Sequence, residues 1–241
     1  FLGKRNEDFG RNGAVLGVVP AQQRFGADNH LIGKPHDRLI VQLQQSILQC
    51  GSQCAFERVL AQTLLGQIGV ECLVGVDIDP AGIRASAEMA RSLGLLARTR
   101  LLQGSLWEPL DGETFDVVVT NLPNFAATVP SDPDHSQFWS MGGADGRRAI
   151  DPFLAGLRRH LNPGGVAFMT HNVFAGLAET ASVLAGQGLA AQCVLATTTL
   201  LHPKKSAVMC PVVRAKYAGT AIRRLGPYEF VDVQVLEIRA M

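Results

Sequence analysis

The apolar positions of this chain switch repeatedly between short continuous runs and helical spacing. HDRLIVQLQQ (36–45) places Leu39, Ile40 and Leu43 at i, i+1 and i+4, which predicts an amphipathic helix. SILQC (46–50) follows as a short apolar strand, and AFERVLAQTLL (55–65) reads as a helix. ECLVGVDI (71–78) predicts a strand that ends on a carboxylate. Asp79-Pro80 then supplies an N-cap with Pro at the first helical position, and the helix 80–94 stops at Gly94. RTRLLQG (98–104) and TFDVVVTN (114–121) predict two more strands, the second a continuous apolar run suited to burial on both faces. Asp151-Pro152 opens a helix with Phe153, Leu154, Leu157 and Leu161 on one face; NPGG (162–165) ends it and VAFMTH (166–171) is a strand. A helix over about 174–187, a strand QCVLATTTLL (192–201), a basic loop and a last strand EFVDVQVLEIR (229–239) complete the pattern.

Strands alternating with helices of this length predict an α/β fold: a mostly parallel sheet, helices on both faces, and an antiparallel pair at one edge. Residues 1–30, punctuated by Gly10, Gly13 and Gly17, read as an N-terminal extension, irregular or a hairpin, which leaves 31–241 as the main domain. Such sheets bind ligands beyond the carboxyl ends of their strands, near the switch in strand order. That rule singles out Gly51, Asp77, Ser105 and Asn121.

Composition narrows the classes. The chain of 241 residues is 47% hydrophobic and 18% charged, which excludes intrinsic disorder. No apolar run approaches the ~18 residues of a membrane span. Glu7 and Asp8 precede the short run AVLGVV (14–19), the wrong charge for a secretory leader, so a cytoplasmic protein without a membrane partner is expected. Five cysteines (50, 54, 72, 193 and 210) show no pairing pattern and complete no zinc site, which predicts free thiols and no metal. Net charge is +1, yet Lys204, Lys205, Arg214, Lys216, Arg223 and Arg224 occur without an acid between 201 and 225. The basic 203–224 stretch leaves nucleic acid open as a partner, beside a solvated loop as the plainer reading.

Two strand ends carry the candidate chemistry. Asp77 can accept both hydroxyls of a ribose, or it can act as a helix cap, a role Asp79 already fills. In NLPNF (121–125), an Asn at the end of a buried strand needs hydrogen-bond partners, and Pro123 removes a donor and stiffens the turn. The carbonyl oxygens of Asn121 and Leu122 are then two fixed acceptors, suited to the two N–H bonds of a substrate –NH2; an ordinary Asn-Pro turn is the alternative.

The order of GVDIDP, DVVVTNLPNF and NPGG resembles a class I S-adenosylmethionine methyltransferase. NLPN resembles the signature of enzymes that methylate amide or exocyclic amino nitrogens. LIGKPHDRLIV (31–41) and MGGADG (141–146) resemble two segments of the HemK-type glutamine methyltransferases, which modify peptide-chain release factors. The resemblance implies a Rossmann-like, seven-stranded sheet, S-adenosylmethionine as cofactor, and a protein or small-molecule methyl acceptor. It implies that Asn121, Leu122 and Pro123 are catalytic and that Asn124 and Phe125 meet the acceptor. It also implies that Gln49, Gly51, Asp77, Ile78, Ser105 and Leu106 bind the cofactor, with Ile78 on the adenine and the Leu106 N–H at its edge. The chain departs from the family where Gln49, Gln53, Ala55, Ser105 and Asn124 replace an acid, two glycines, an Asp and an aromatic. Those departures motivate a second expectation, a catalytically silent scaffold of the same fold. A nucleic-acid adenine or a small metabolite is the alternative acceptor. His135 and His171 are candidate bases by position only, and a hydrogen-bonded structural role is the favoured reading of His171.

Overall fold

A computed structural model describes residues 38–42, 72–129 and 141–241, all within one unit, Pro35–Met241. The expected extension over 1–30, the strand 46–50, the helix 55–65, Gln49, Gly51, Cys50, Cys54 and His135 lie outside the described residues.

The segment read as an amphipathic helix holds instead an interior strand of the sheet. β1 (Arg38–Gln42) pairs in parallel with β2 (Cys72–Asp77) on one side and β4 (Phe115–Thr120) on the other. A short apolar run such as Leu39-Ile40-Val41 carries no decisive period, so its partners decide its structure. β3 (Thr99–Gln103) extends the sheet beyond β2, and β5 (Leu161–Asn172) extends it beyond β4, both in parallel. β8 (Tyr228–Ala240) lies antiparallel between β5 and β6 (Leu189–Leu201), giving the order β3-β2-β1-β4-β5-β8-β6. β7 (Ile222–Leu225) pairs with β8 off this path. Among the described residues seven strands lie on this path, with an eighth beside it. The expected antiparallel pair is β6 with β8, and β8 is the inner member.

Strand order reverses at β1: the chain runs outward through β2 and β3, then returns to β4 and β5. The crevice at this reversal is where an open α/β sheet takes its ligand.

α1 (Pro80–Ser92) begins as the sequence predicts, with Asp79 Oδ1 accepting the Ala81 N–H at 2.8 Å. Its buried face is Gly82, Ser86 and Ala90, a stripe of small residues that lets it lie close to β2 and β3. α2 (Ile150–His160) buries Ile150, Phe153, Leu154 and Leu157, while Leu161 belongs to β5. NPGG does not precede the strand but lies inside it, where the pairing with β4 shifts between Phe115 and Val117.

The main core joins Val74, Val76, Phe115, Val118 and Met169 of the sheet to Phe153, Leu154 and Leu157 of α2. Trp107 stacks on Phe153 at 5.0 Å and on His160 at 4.4 Å, and its Nε1–H donates to the Phe153 carbonyl at 2.8 Å. Trp107→Phe removes that bond and part of a filled volume. It is expected to lower the unfolding free energy by about 2 kcal/mol, as read by urea denaturation.

After α3 (Leu177–Ala185) and β6, the expected basic loop is two short helices, α4 (Pro203–Val208) and α5 (Pro211–Tyr217), followed by β7. Both helices start on Pro, the signal that also starts α1. A second apolar cluster forms here: Phe125, Ala126 and Ala127 pack with Phe174, Leu201, Met209, Val213, Ile222 and Val231. Three of the six basic residues are tied to carboxylates from elsewhere: Arg214 to Glu229 at 2.7 Å, Lys216 to Glu179 at 3.3 Å, and Arg223 to Asp232. Half of these cations are thus paired within the fold, so the count in sequence overstates the free positive charge of the stretch. Among the described residues no helix is long and apolar enough to cross a membrane, and no cluster of His, Cys, Asp or Glu could hold a metal ion.

Candidate active site

Strand register fixes the site. Gln42, the last residue of β1, pairs with Val76 of β2 and with Thr120 of β4. Asp77 and Asn121 each follow by one residue, so they flank the tip of β1 across two strand spacings, ~10 Å.

Asp77 is 1% exposed. Its Oδ1 accepts the Asp79 N–H at 2.8 Å, whereas Oδ2 is buried and has no hydrogen-bond partner among the described residues. Burial pushes the carboxyl up to about 7, opposed by the Asp79 N–H and assisted by the Asp79 charge. A Cβ at residue 82 would lie 2.5 Å from Oδ2, so Gly82 of α1 leaves room for the carboxylate. An unpartnered buried acceptor is costly, and its position at a strand tip suits a ligand bearing hydroxyls. Ile78 beside it is 40% exposed, a free apolar surface next to the acid. Ser105 and Leu106 follow β3, the neighbour of β2. Leu106 is buried with φ +50°, and the Ser105 N–H reaches Glu108 Oε2 at 3.3 Å. Asp77, Ile78, Ser105 and Leu106 thus lie on adjacent strand ends, as the sequence expects.

Across β1, Asn121 is half-buried and accepts the Thr170 hydroxyl on its side-chain oxygen. Leu122 and Pro123 are buried, and Thr120 Oγ1 is buried with no partner among the described residues. Among the described residues nothing donates to the Leu122 carbonyl.

Asn124 and Phe125 are placed differently from the expectation that they meet an acceptor. The Asn124 side chain turns into the sheet: Nδ2 donates to the Thr170 carbonyl at 3.2 Å, and Oδ1 accepts from Asn172 Nδ2. Both polar ends of that amide are therefore occupied. Phe125 is buried edge-on against Phe174, with centroids 5.8 Å apart, in the second apolar cluster. Neither offers a free stacking face.

MGGADG packs against the same turn. Gly142 N–H donates to the Phe125 carbonyl at 2.7 Å, and a Cβ on Gly146, whose φ is +84°, would come within 2.7 Å of the Asn124 carbonyl. The motif is glycine-rich because the backbone must approach that closely and adopt a left-handed angle.

His171 is fully buried, with Nδ1 2.7 Å from the Asn172 carbonyl and Nε2 2.9 Å from Thr180 Oγ1. Burial, with the nearby Arg147 charge, pushes it down to about 4. Both ring nitrogens are engaged, which is the structural role the sequence favours. The residues that sequence reasoning missed are Thr170, Asn172, Arg147 and Thr180. A signal for the first two was present: THN is an abrupt polar triplet ending an apolar central strand.

No family model matches the chain. It is 34% identical over 129 residues to the release factor glutamine methyltransferase of Moorella thermoacetica, covering 50% of this chain and 44% of that protein. With the release factor glutamine methyltransferase of Gloeobacter violaceus it shares 30% identity over 119 residues, covering 47% of this chain and 37% of the relative. The chain is similar to the HemK-type class I methyltransferases. The match spans less than half the length of either relative. Methyltransferases of this family use S-adenosylmethionine. The crystal structure of the YcgJ protein from Bacillus subtilis superimposes with a TM-score of 0.54 at 12% identity, over 85% of this chain and 92% of that one. The fold is thus methyltransferase-like α/β.

Proposed function

We propose that the chain transfers a methyl group from S-adenosylmethionine to an amide or amino nitrogen, with a protein glutamine side chain as the favoured acceptor. The observation that carries this reading is the pairing of Asp77 with the Asn121–Pro123 turn on either side of the β1 tip. The fit of the donor rests on Asp77 Oδ2, a buried acceptor awaiting donors, which ribose hydroxyls would supply. Ile78 would lie against the adenine, with Ser105 and Leu106 at its edge. When bound, the donor supplies an electrophilic methyl group on a sulfonium.

On the other side, Asn121 Oδ1 has two lone pairs, of which Thr170 takes one. The second, with the Leu122 carbonyl, would hold the two N–H bonds of the acceptor and aim the nitrogen lone pair toward β1. Pro123 contributes no competing N–H. Catalysis in this arrangement is chiefly proximity and orientation. His171 takes no part as a base, because both its nitrogens are bonded within the protein. The glutamine acceptor is supported by the names of the sequence relatives. The paired cations of 203–224 give no comparable support to nucleic acid.

Two measurements test the reading. Calorimetry with S-adenosylhomocysteine should give a micromolar dissociation constant; absence of both heat and a melting-temperature shift would leave a silent scaffold. Labelled S-adenosylmethionine should then mark a release-factor domain carrying Gly-Gly-Gln in preference to RNA, DNA or a metabolite pool. Transfer to one of those pools instead would overturn the glutamine assignment.

A further inference from the structure

A line of hydrogen bonds, passing through the backbone at Asn172 and Thr170, runs from the segment after MGGADG to the candidate acceptor turn. Arg147 is 8% exposed, and its guanidinium is anchored by Asp151 at 2.6 Å and by the carbonyls of Ala175 at 2.8 Å and Gly176 at 3.0 Å. Its Nη1–H also donates to Thr180 Oγ1 at 3.0 Å. Because that oxygen already accepts from a cation, its own proton is directed to His171 Nε2, 2.9 Å away. A neutral ring accepting at Nε2 carries its proton on Nδ1, which donates to the Asn172 carbonyl at 2.7 Å. Asn172 Nδ2 donates to the side-chain oxygen of Asn124 and, at 3.4 Å, to its carbonyl. Asn124 in turn bonds the Thr170 carbonyl, and the Thr170 hydroxyl bonds Asn121.

We infer that Thr180, held by Arg147, is a positioning residue: through His171, Asn172 and Asn124 it sets the pose of the turn that presents Asn121 and Leu122 to the acceptor. The inference rests on the acceptor-turn reading above. The donor and acceptor roles of Thr180 and His171 are fixed by their neighbours, and Asn172 and Thr170 join a carbonyl bond to a side-chain bond through their own backbone, so removing one hydroxyl frees the next group to reorient. The line also accounts for Asn124 in place of the family's aromatic: at this position an amide reaches the Thr170 backbone carbonyl and the Asn172 side chain, which an aromatic ring cannot.

The test uses the full chain labelled with 15N-asparagine, whose seven asparagines give few side-chain NH2 signals. In Thr180→Val the signals of Asn172, Asn124 and Asn121 should move, as should the imidazole nitrogens of His171. Asn162, bonded to Asp116 at 2.8 Å outside the line, should stay in place. Thr180→Ser should restore the wild-type positions. Thr170→Val, which cuts the line at its last link, should move Asn121 and leave His171 unchanged, and it serves if Thr180→Val does not fold. With a Gly-Gly-Gln acceptor, Thr180→Val should lower kcat at least tenfold while the S-adenosylhomocysteine dissociation constant changes less than twofold. Unmoved Asn124 and Asn172 signals, or equal movement of all seven, would overturn the inference. A wild-type protein that methylates nothing would refute the activity reading, yet the amide and imidazole signals would still decide whether the line sets the turn.

Discussion

Asn121→Ala is expected to abolish methyl transfer while sparing cofactor binding and folding. The side chain is only half-buried and, among the described residues, bonds only to the Thr170 hydroxyl, so its loss removes little from the core. Its proposed work is to hold one N–H of the acceptor and to stabilise positive charge as the nitrogen is alkylated. Removing one preorganised group of this kind typically costs ~10²–10³-fold in kcat. Asn121→Asp separates two accounts of that loss, because it keeps an oxygen for the acceptor N–H and for Thr170. It should retain more activity than the alanine variant if the role is hydrogen-bond acceptance. The measurements are labelled-methyl transfer to the Gly-Gly-Gln domain and calorimetry with S-adenosylhomocysteine. Transfer by Asn121→Ala near the wild-type rate would remove Asn121 from the mechanism.

The strand ends to which this chemistry is assigned as a proposal were legible in the sequence for a physical reason. β2 and β4 are continuous apolar runs whose character changes abruptly at Asp77 and Asn121, and a polar group at the tip of a buried strand has few structural uses. β1 was not legible: Leu39, Ile40 and Val41 satisfy a helical template as well as a strand, and only pairing with Val74 and Val118 resolves the choice. The basic stretch was only half legible, for the opposite reason. Its acids, Glu179, Glu229 and Asp232, come from α3 and β8 and meet the cations only in space. Asn124 could not be read at all by position in a motif, because its partners Thr170 and Asn172 lie 46 and 48 residues away. Where a side chain is satisfied is a property of the fold, and the identity of the neighbouring motif says little about it.

Asp77→Asn should give the other large effect, and in opposite directions for binding and stability. The carboxyl titrates at about 7 in the fold against 3.8 when solvated, chiefly because burial penalises its charge. The folded protein therefore holds this proton more tightly than the unfolded chain. The resulting stability is fully present below pH ~4 and is lost as pH rises through about 7. At pH 8 the buried charge costs up to ~4 kcal/mol, at ~1.4 kcal/mol per pH unit. Asparagine keeps an oxygen for the Asp79 N–H and carries no charge. Its urea midpoint should match the wild type at pH 4 and exceed it at pH 8, by less than the full cost because its NH2 is also buried. Binding should move the other way. A carboxylate hydrogen bond is worth ~1.5–3 kcal/mol, so S-adenosylhomocysteine affinity should fall roughly 10- to 150-fold in the variant. The wild-type affinity should itself strengthen as pH rises toward 7 and then level off, with a proton released on binding below that point. A wild-type stability flat between pH 4 and 8 would show that the charge is solvated. An asparagine variant that binds as tightly as the wild type would show that Asp77 does not hold the ribose. Together the two results decide whether the acid at the β2 tip is kept, at a cost to the fold, for the ligand it awaits.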